Sequence, residues 1–205
     1  MAQHQICVLG TGDMGGAVAQ ALSVRTKHPV SVRGSRSGSA SATALSARLG
    51  LREATDAEIT RSDMVFVVVP ASAIPDIAPL LLHYRGIVVS VCVSETVGCD
   101  GEKSAAEQLA EVLPAARVVN AFTSIWSTVV RNPGTVGKTT AFVCSDHGDA
   151  KTVVMELAEE LGFAPIDGGK LSYALYTEML GMFAAHLASD CGYGQTISFR
   201  AFQAK

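Results

Sequence analysis

Three glycines near the start of the chain have the spacing that binds a dinucleotide diphosphate. The stretch "ICVLGTGDMGGAVAQAL" places Gly10, Gly12 and Gly15 between a strand-like apolar run and a helical run. The first glycine permits a tight turn, the second lets a diphosphate approach the backbone, and the third lets helix and strand pack closely. The N–H groups at the helix start then hold the phosphates. The other residues of the predicted loop are Thr11, Asp13 and Met14. The alternative is a glycine-rich turn without a ligand.

The end of the second predicted strand, "VSVRGSRSGS", carries the residues that would select the dinucleotide. No Asp or Glu occurs between Asp13 and Glu53, so the carboxylate that binds the adenosine ribose of NAD is missing. The strand instead ends on Arg33 and is followed by Gly34, Ser35 and Arg36. A guanidinium forms two parallel hydrogen bonds with a phosphate, and a serine hydroxyl adds a donor. The stretch therefore predicts a 2′-phosphate site and NADP(H) as cofactor; the alternative is a solvated loop with incidental arginines.

Three further strand ends are predicted to line the cofactor site, because ligands of open α/β sheets bind beyond the carboxyl ends of the strands. These candidates are Val69, Pro70 and Ala71 after the fourth strand, Cys92 and Val93 after the fifth, and Asn120, Ala121 and Phe122 after the sixth. Phe122 and Trp126 are candidates for an aromatic floor beneath a planar partner, although Trp126 is equally compatible with an ordinary core position.

Apolar runs of strand length alternate with amphipathic runs of helix length along most of the chain. Predicted strands cover residues 5–9, 30–33, 64–69, 87–91, 117–120, 140–144 and 163–166, with a weaker one near Leu51. Predicted helices cover residues 15–24, 39–49, 72–82, 102–113 and 150–161, and a longer helix opened by glycines follows over 167–190. Strands such as "MVFVVV" are apolar on both faces, which is typical of parallel strands covered on both sides. The pattern predicts a doubly wound parallel α/β sheet of the Rossmann type, with residues 1–168 as the dinucleotide-binding domain and residues 169–205 closing the site.

Composition excludes several other classes of protein. The 205 residues are 48% hydrophobic and carry a net charge of −3, which fits one filled core and argues against a nucleic-acid partner. No apolar run reaches the roughly 20 residues that cross a bilayer, so we expect a cytoplasmic protein without a membrane partner. The five cysteines form no C-x-x-C pair, and we expect no metal.

The chain offers few candidates for a catalytic acid. Tyr173 and Glu178 on the late helix are weak candidates, and His186 lies eight residues beyond Glu178. A solvated helix face explains these residues as well. Hydride transfer between two stacked rings requires no nucleophile, only alignment of the reacting atoms, so the catalytic residues stay unknown at this stage.

Five motifs in order resemble one family. They are "VLGTGDMG", "GSR", "VVP", "VVNAF" and "DGGKLSYALYTE", and together they resemble the F420-dependent NADP oxidoreductases. That family includes NADPH:deazaflavin oxidoreductases and the cytosolic domain of the six-transmembrane epithelial antigen metalloreductases. The resemblance extends to about Leu187. It implies that residues 11–14 hold the diphosphate, Ser35 and Arg36 the 2′-phosphate, and Pro70, Ala121 and Phe122 the nicotinamide, while Leu171, Ala174 and Glu178 help to close the site.

The resemblance implies hydride transfer between NADPH and a planar acceptor, a deazaflavin such as coenzyme F420 or a flavin. Two departures leave the acceptor open: no lysine follows the "SR" pair, and "AF" is followed by Thr123 and Ser124. One alternative is an NADPH-dependent reductase of a small carbonyl or imine, and another is a non-catalytic module that senses NADP or binds a partner. We also expect a homodimer, because the late helix and the apolar residues Ile197, Phe199 and Phe202 would otherwise be exposed.

Overall fold

The computed structural model describes residues 3–34, 36, 38–98 and 102–202. Its eight strands are β1 (Ile6–Leu9), β2 (Val30–Arg33), β3 (Arg52–Glu53), β4 (Met64–Val67), β5 (Ile87–Ser90), β6 (Arg117–Asn120), β7 (Thr140–Cys144) and β8 (Ala164–Gly169). They form one sheet in the order β3-β2-β1-β4-β5-β6-β7-β8. The reversal beside β1 is the switch point of a Rossmann-type sheet, so the predicted fold class is confirmed.

The helices follow the predicted alternation with shifted ends. They are α1 (Asp13–Arg25), α2 (Ala40–Leu49), α3 (Asp56–Ile59), α4 (Ile74–Leu81), α5 (Ala105–Val112), α6 (Ser127–Arg131), α7 (Gly148–Glu160) and α8 (Ala174–Ser189). The sequence reading missed α3 and α6, because four or five residues are too few to show a helical period.

The last two strands depart from an all-parallel sheet. β1 to β6 run parallel, but β7 pairs with β6 in the antiparallel sense through Asn120 and Cys144, and β8 is parallel to β7. Parallel neighbours require a long crossover, usually a full helix. The connection between β6 and β7 contains only the five-residue α6 and a 3₁₀ turn over Pro133–Val136, so β7 enters the sheet from the same edge at which β6 ends.

Alternate residues of the strands fill two apolar layers. Val8, Phe66 and Val119 pack with α1, α2 and α7 on one face. Leu9 and Val67 pack with α3, α4 and α5 on the other. Both faces are covered, which explains why the central strands are apolar throughout.

The glycines that were expected to open the late helix belong to a strand instead. Gly168 and Gly169 end β8, and α8 begins only at Ala174 after a 3₁₀ turn over Leu171–Tyr173. A Cβ at Gly168 would lie 2.5 Å from the Cys144 sulfur, so the close approach of β8 to β7 requires glycine. The division of the chain at residue 168 stays a prediction.

The carboxy-terminal tail is partly packed rather than free. The Phe199 carbonyl accepts a hydrogen bond from the Thr140 N–H at 3.0 Å, and its ring stacks on Phe183. Of the three tail residues expected to be exposed, Phe202 remains 80% exposed while Ile197 and Phe199 are half-buried. No helix within the described ranges is long and apolar enough to cross a membrane, and the cytoplasmic location stays a prediction.

Candidate functional site

The glycine turn leaves open space at the first turn of α1. Gly10 has a φ of +122°, and a Cβ there would lie 2.0 Å from the Val68 carbonyl oxygen. A Cβ at Gly15 would lie 2.0 Å from the Gly10 carbonyl oxygen. A Cβ at Gly12 would meet nothing within 4 Å, and Gly12 caps α1 without a side chain. The first N–H groups of a helix lack intrahelical acceptors, so this open turn fits a diphosphate.

Asp13 in this turn is bound to α6 rather than left free. Its carboxylate accepts hydrogen bonds from the Ser127 hydroxyl and from the Arg131 guanidinium, which also donates to the Asp13 carbonyl at 2.8 Å. The bond from Arg131, followed by that from Ser127, lowers the pKa of Asp13 below its usual range. Asp13 therefore stays ionised, and its charge is balanced by Arg131. Sequence reasoning missed Ser127 and Arg131, which lie more than 110 positions from Asp13.

A cleft of about 570 Å³ begins at Asp13 and Met14 and extends beyond the ends of β4, β5 and β6. The strand ends contribute Val69, Pro70, Val91, Val93, Glu95 and Phe122; the loop into α6 contributes residues 123–127; α8 contributes Gly181, Met182, Ala184 and Ala185. The structure thus brings together seven of the predicted site residues, namely Asp13, Met14, Val69, Pro70, Val93, Phe122 and Trp126. The α8 residues carried no motif and were missed.

Four of the eight residues predicted at the three strand ends lie outside the cleft wall. The Cys92 thiol is buried against the Val67 carbonyl, and burial raises its pKa to about 12. The Asn120 side chain is buried and accepts a hydrogen bond from the Thr177 hydroxyl at 2.7 Å, and Ala121 is fully buried. Ala71 lines a neighbouring cavity. Cys92 alternates with Val91 and Val93, which line the cleft, so its side chain lies on the other face of the chain. Asn120 and Ala121 are adjacent and both buried, so tertiary packing rather than alternation places them.

At the adenosine end, the two predicted arginines are in different environments. The Arg33 side chain is 5% exposed and pairs with Asp56 at 2.5 Å through Nη2, while its Nε and Nη1 are buried without a hydrogen-bond partner among the described residues. Arg36 is exposed beyond the strand. Gly34 is buried against Ser39, and Thr11 shares a 2.8 Å hydrogen bond with Ser41 at the start of α2. Ser35 lies outside the described residues.

The two predicted aromatic residues also differ in orientation. Phe122 has a φ of +63°, and its ring packs on Phe66 and Phe163 in the core. It therefore borders the cleft but does not present its ring as the expected floor. Trp126 is half-buried at the N-cap of α6 and lines the cleft. The Trp126 side chain is thus the aromatic group available to a planar ligand.

Glu178 is a structural anchor rather than an acid on a solvated face. It is fully buried and accepts hydrogen bonds from the N–H groups of Ser94 at 3.2 Å, Ala105 at 2.9 Å and Ala106 at 3.2 Å. Burial raises the pKa of Glu178, and the three N–H donors oppose that shift. Tyr173, the other weak candidate, is half exposed, packs on Tyr176 and does not line the cleft. Neither side chain is placed to donate a proton in the cleft.

α8 closes the cleft because it approaches the end of β6 very closely. A Cβ at Gly181 would lie 2.3 Å from the Thr123 carbonyl oxygen. The polar bonds of Thr177 and Glu178 hold α8 to the ends of β6 and β5, so α8 is fixed on both sides of the cleft.

We expect Glu178→Ala to lower the free energy of unfolding by about 3 kcal/mol, since three buried N–H groups lose their acceptor. Glu107→Ala is the matched control, because Glu107 caps α5 from within that helix and has no bond to α8. It should cost about 1 kcal/mol. Urea unfolding monitored by circular dichroism measures both, and equal losses would contradict the anchoring role.

We expect Gly181→Ala to lower the free energy of unfolding by about 2 kcal/mol, because the new methyl group would overlap a backbone carbonyl and force α8 outward. Gly148→Ala adds the same group to the first turn of α7, where nothing lies within 4 Å. That control should be neutral or slightly stabilising. Thermal unfolding compares the two variants, and an unchanged melting temperature in Gly181→Ala would refute the close-packing argument.

Comparison with known proteins identifies related sequences and folds. The family model described as "NADP oxidoreductase coenzyme F420-dependent" matches residues 5–94. Metalloreductase STEAP3 of Rattus norvegicus is 29% identical over 178 residues, which are 86% of this chain and 36% of that protein. The chain thus spans about a third of the length of this relative.

Solved structures share the fold over most of the chain. A hypothetical protein, SMa0349 from Sinorhizobium meliloti, is 27% identical with a TM-score of 0.72, covering 84% of this chain and 88% of that one. A proposed F420-dependent NADP-reductase from Arthrobacter sp. FB24 is 23% identical with a TM-score of 0.79, covering 94% and 96%. The resemblance drawn from the motifs is confirmed by the family match. Within the described part of the chain, His, Cys, Asp and Glu form no group suited to a metal ion.

Proposed function

We propose that this chain transfers hydride between NADP(H) and a planar redox acceptor, a deazaflavin or a flavin. Residues 5–94 match the model of the F420-dependent NADP oxidoreductase family, which supports this proposal. The supporting observation is the continuity between two features. The open turn at Gly12 leads through Asp13 and Met14 into a largely apolar cleft of about 570 Å³. A diphosphate at the turn would place the attached ribose and base at the entrance of that cleft.

The residues present fit the dinucleotide at both of its charged groups. The N–H groups at the start of α1 would hold the diphosphate, and Arg36 would hold the 2′-phosphate. Arg131 balances the Asp13 carboxylate, so an anion can approach the turn without meeting an uncompensated negative charge. When bound, NADPH supplies a hydride from its nicotinamide C4.

The cleft wall would orient the two rings and exclude water. Val69, Val91 and Val93 come from the ends of β4 and β5, and Met182 and Ala185 of α8 face them across the cleft. Trp126 offers a planar surface. No described side chain in the cleft has the buried position of a general acid, which supports transfer between rings with the accompanying proton taken from water.

The two alternatives make different predictions in a panel of acceptors. A reductase of a small carbonyl or imine would oxidise NADPH with such compounds but not with flavins or deazaflavins. A non-catalytic NADP module would bind the dinucleotide and oxidise it with none. Oxidation of NADPH measured at 340 nm with riboflavin, a deazaflavin and an imine therefore tests the proposal.

We expect Arg36→Ala to raise the Kd of NADP⁺ about 10- to 100-fold and to leave the Kd of NAD⁺ unchanged, because a charge-assisted phosphate contact is lost. Arg25→Ala removes an equally exposed arginine from the last turn of α1, at the opposite end of that helix from the glycine turn, and should change neither Kd. Titration calorimetry with both dinucleotides measures the effect. Equal weakening of NAD⁺ and NADP⁺ binding would exclude a 2′-phosphate contact.

We propose in addition that the chain forms a homodimer through the outer face of α8. The exposed side chains of this face and the turn before it are Tyr173, Tyr176, Met179 and Phe183. Residues 171–185 contain one charged side chain, that of Glu178, and it is buried. A charge-free face can pack on its own copy about a two-fold axis without burying an unpaired charge.

Tyr176→Glu should convert the dimer to a monomer, since it would place two carboxylates in the shared interface. Val24→Glu changes a comparably exposed apolar residue on α1 and should leave the dimer intact. Light scattering coupled to size-exclusion chromatography distinguishes the protomer mass from twice that mass. A monomeric unmodified protein at micromolar concentration would refute this assembly.

A further inference from the structure

A thiol, an imidazole and a carboxylate lie in hydrogen-bonded order at the carboxyl end of α8. The Cys191 sulfur lies 3.7 Å from Nε2 of His186, and Nδ1 of the same ring lies 2.7 Å from a carboxylate oxygen of Asp190. None of these three side chains lines the cleft, so the proposed hydride transfer does not use them. A nucleophile beside a base that a third group orients is the arrangement of nucleophilic chemistry.

The hydrogen bonds give each nitrogen of the His186 ring a separate role. An ionised carboxylate only accepts hydrogen bonds, so Nδ1–H donates to Asp190. Nε2 then keeps the lone pair that receives the proton of the Cys191 thiol. Proton transfer to Nε2 creates a thiolate beside an imidazolium, and the Asp190 carboxylate stabilises that imidazolium.

Backbone and ring contacts hold the three groups in this geometry. The N–H groups of Asp190 and Cys191 both donate to the His186 carbonyl, at 2.8 and 3.3 Å. The His186 ring stacks on Phe183, with 6.5 Å between the ring centroids and 22° between the ring planes.

The tail segment that packs on Phe183 does not bring a competing charge to this site. Its charged side chain within the described residues is Arg200, whose guanidinium lies 4.6 Å from the centroid of the Phe202 ring. His186 is the ion-pair partner of Asp190 in the described part of the chain.

Cys191 differs from the other described cysteines in its accessibility. Cys7, Cys92 and Cys144 are buried, and burial raises the pKa of their thiols to about 11, 12 and 11. These three thiols therefore stay protonated and inert at neutral pH. Cys191 is exposed, and an exposed thiol beside a histidine is the environment of a reactive cysteine.

The backbone around Cys191 favours one class of reaction over another. The N–H groups of Cys191, Tyr193 and Gly194 are bonded to carbonyls in the last turns of α8, so they do not form a site for the oxyanion of acyl transfer. Attack of a thiolate on a disulfide requires no such donors, because the negative charge stays on sulfur. A small disulfide also reaches an exposed thiol without a pocket.

We propose that Cys191 is a site of reversible modification by low-molecular-weight disulfides, with His186 as its base and Asp190 as the residue that positions His186. The Cys191 sulfur attacks one sulfur of the disulfide, a new S–S bond forms as the old one breaks, and the other half leaves as a thiolate. The proton held by Nε2 returns to that leaving thiolate. The disulfide is the oxidant, and a second small thiol reverses the reaction.

The rate at which dithiodipyridine modifies the protein tests this proposal. Cys99 lies outside the described residues and is replaced by serine in every variant, including the reference protein. At neutral pH we expect Cys191 to react about tenfold faster than the thiol of free glutathione, because an unassisted thiol is only a few per cent ionised. His186→Gln should lower the rate to that of glutathione, and Asp190→Asn should give an intermediate rate. His83→Gln removes an exposed histidine beyond the end of α4 and should leave the rate unchanged.

The pH profile separates activation by His186 from a structural effect. In His186→Gln the rate should fall about tenfold for each pH unit below neutrality, as the ionised fraction of an unassisted thiol does. The reference protein should lose less, because His186 retains the proton when the thiolate forms. A rate no faster than that of glutathione, or the same pH profile in both proteins, would overturn the proposal.

Oxidised glutathione then tests the class of ligand. Peptide mapping by mass spectrometry should locate one glutathionyl group on Cys191, and Cys191→Ser should carry none. A covalent dimer joined through Cys191 on non-reducing electrophoresis, in place of the glutathionyl adduct, would show that a second copy is the partner and would overturn the assignment to small disulfides.

Discussion

The cleft depends on one buried carboxylate. Glu178 of α8 binds the N–H groups of Ser94, Ala105 and Ala106, which lie on either side of the connection between β5 and α5. Among the described residues, no other hydrogen bond joins α8 to the end of β5, so without this anchor the wall formed by Gly181, Met182 and Ala185 would lose its fixed distance from Val93. A buried carboxylate is costly unless its oxygens are satisfied, so the same three donors that fix α8 also make the burial tolerable.

Charge is distributed unevenly between the two ends of the site. At the end proposed to bind the dinucleotide, the open N-terminus of α1 and the exposed Arg36 favour an anion, and Arg131 balances the Asp13 carboxylate. At the far end, the wall is apolar and its remaining charge is that of Glu95. This division suits a reaction in which the phosphates of the dinucleotide are held outside the cleft and its nicotinamide ring enters it. In the proposed reaction, the main contribution of the protein would be to position two rings rather than to transfer a proton through a side chain.

The glycine turn and the central strands could be predicted from the sequence, because they depend on residues that are adjacent along the chain. The spacing of Gly10, Gly12 and Gly15 specifies a turn in which two positions exclude a side chain and one leaves space, and the structure shows each of these environments. The apolar runs located the central strands within two residues, since strands buried on both faces are almost continuously apolar. The short helix α6 was missed, and Arg131 with it, because five residues carry no periodic signal.

The sequence by itself determined the Rossmann-type order of elements, the glycine turn and the positively charged end of β2, because each of these is set by residues adjacent along the chain. Tertiary structure decided which side chains face the cleft. It buried Cys92 and Asn120, paired Arg33 with Asp56, turned the Phe122 ring into the core and placed Glu178 beneath α5. These outcomes depend on strand register and on contacts between residues far apart in the chain, and a single sequence carries no local pattern that specifies them.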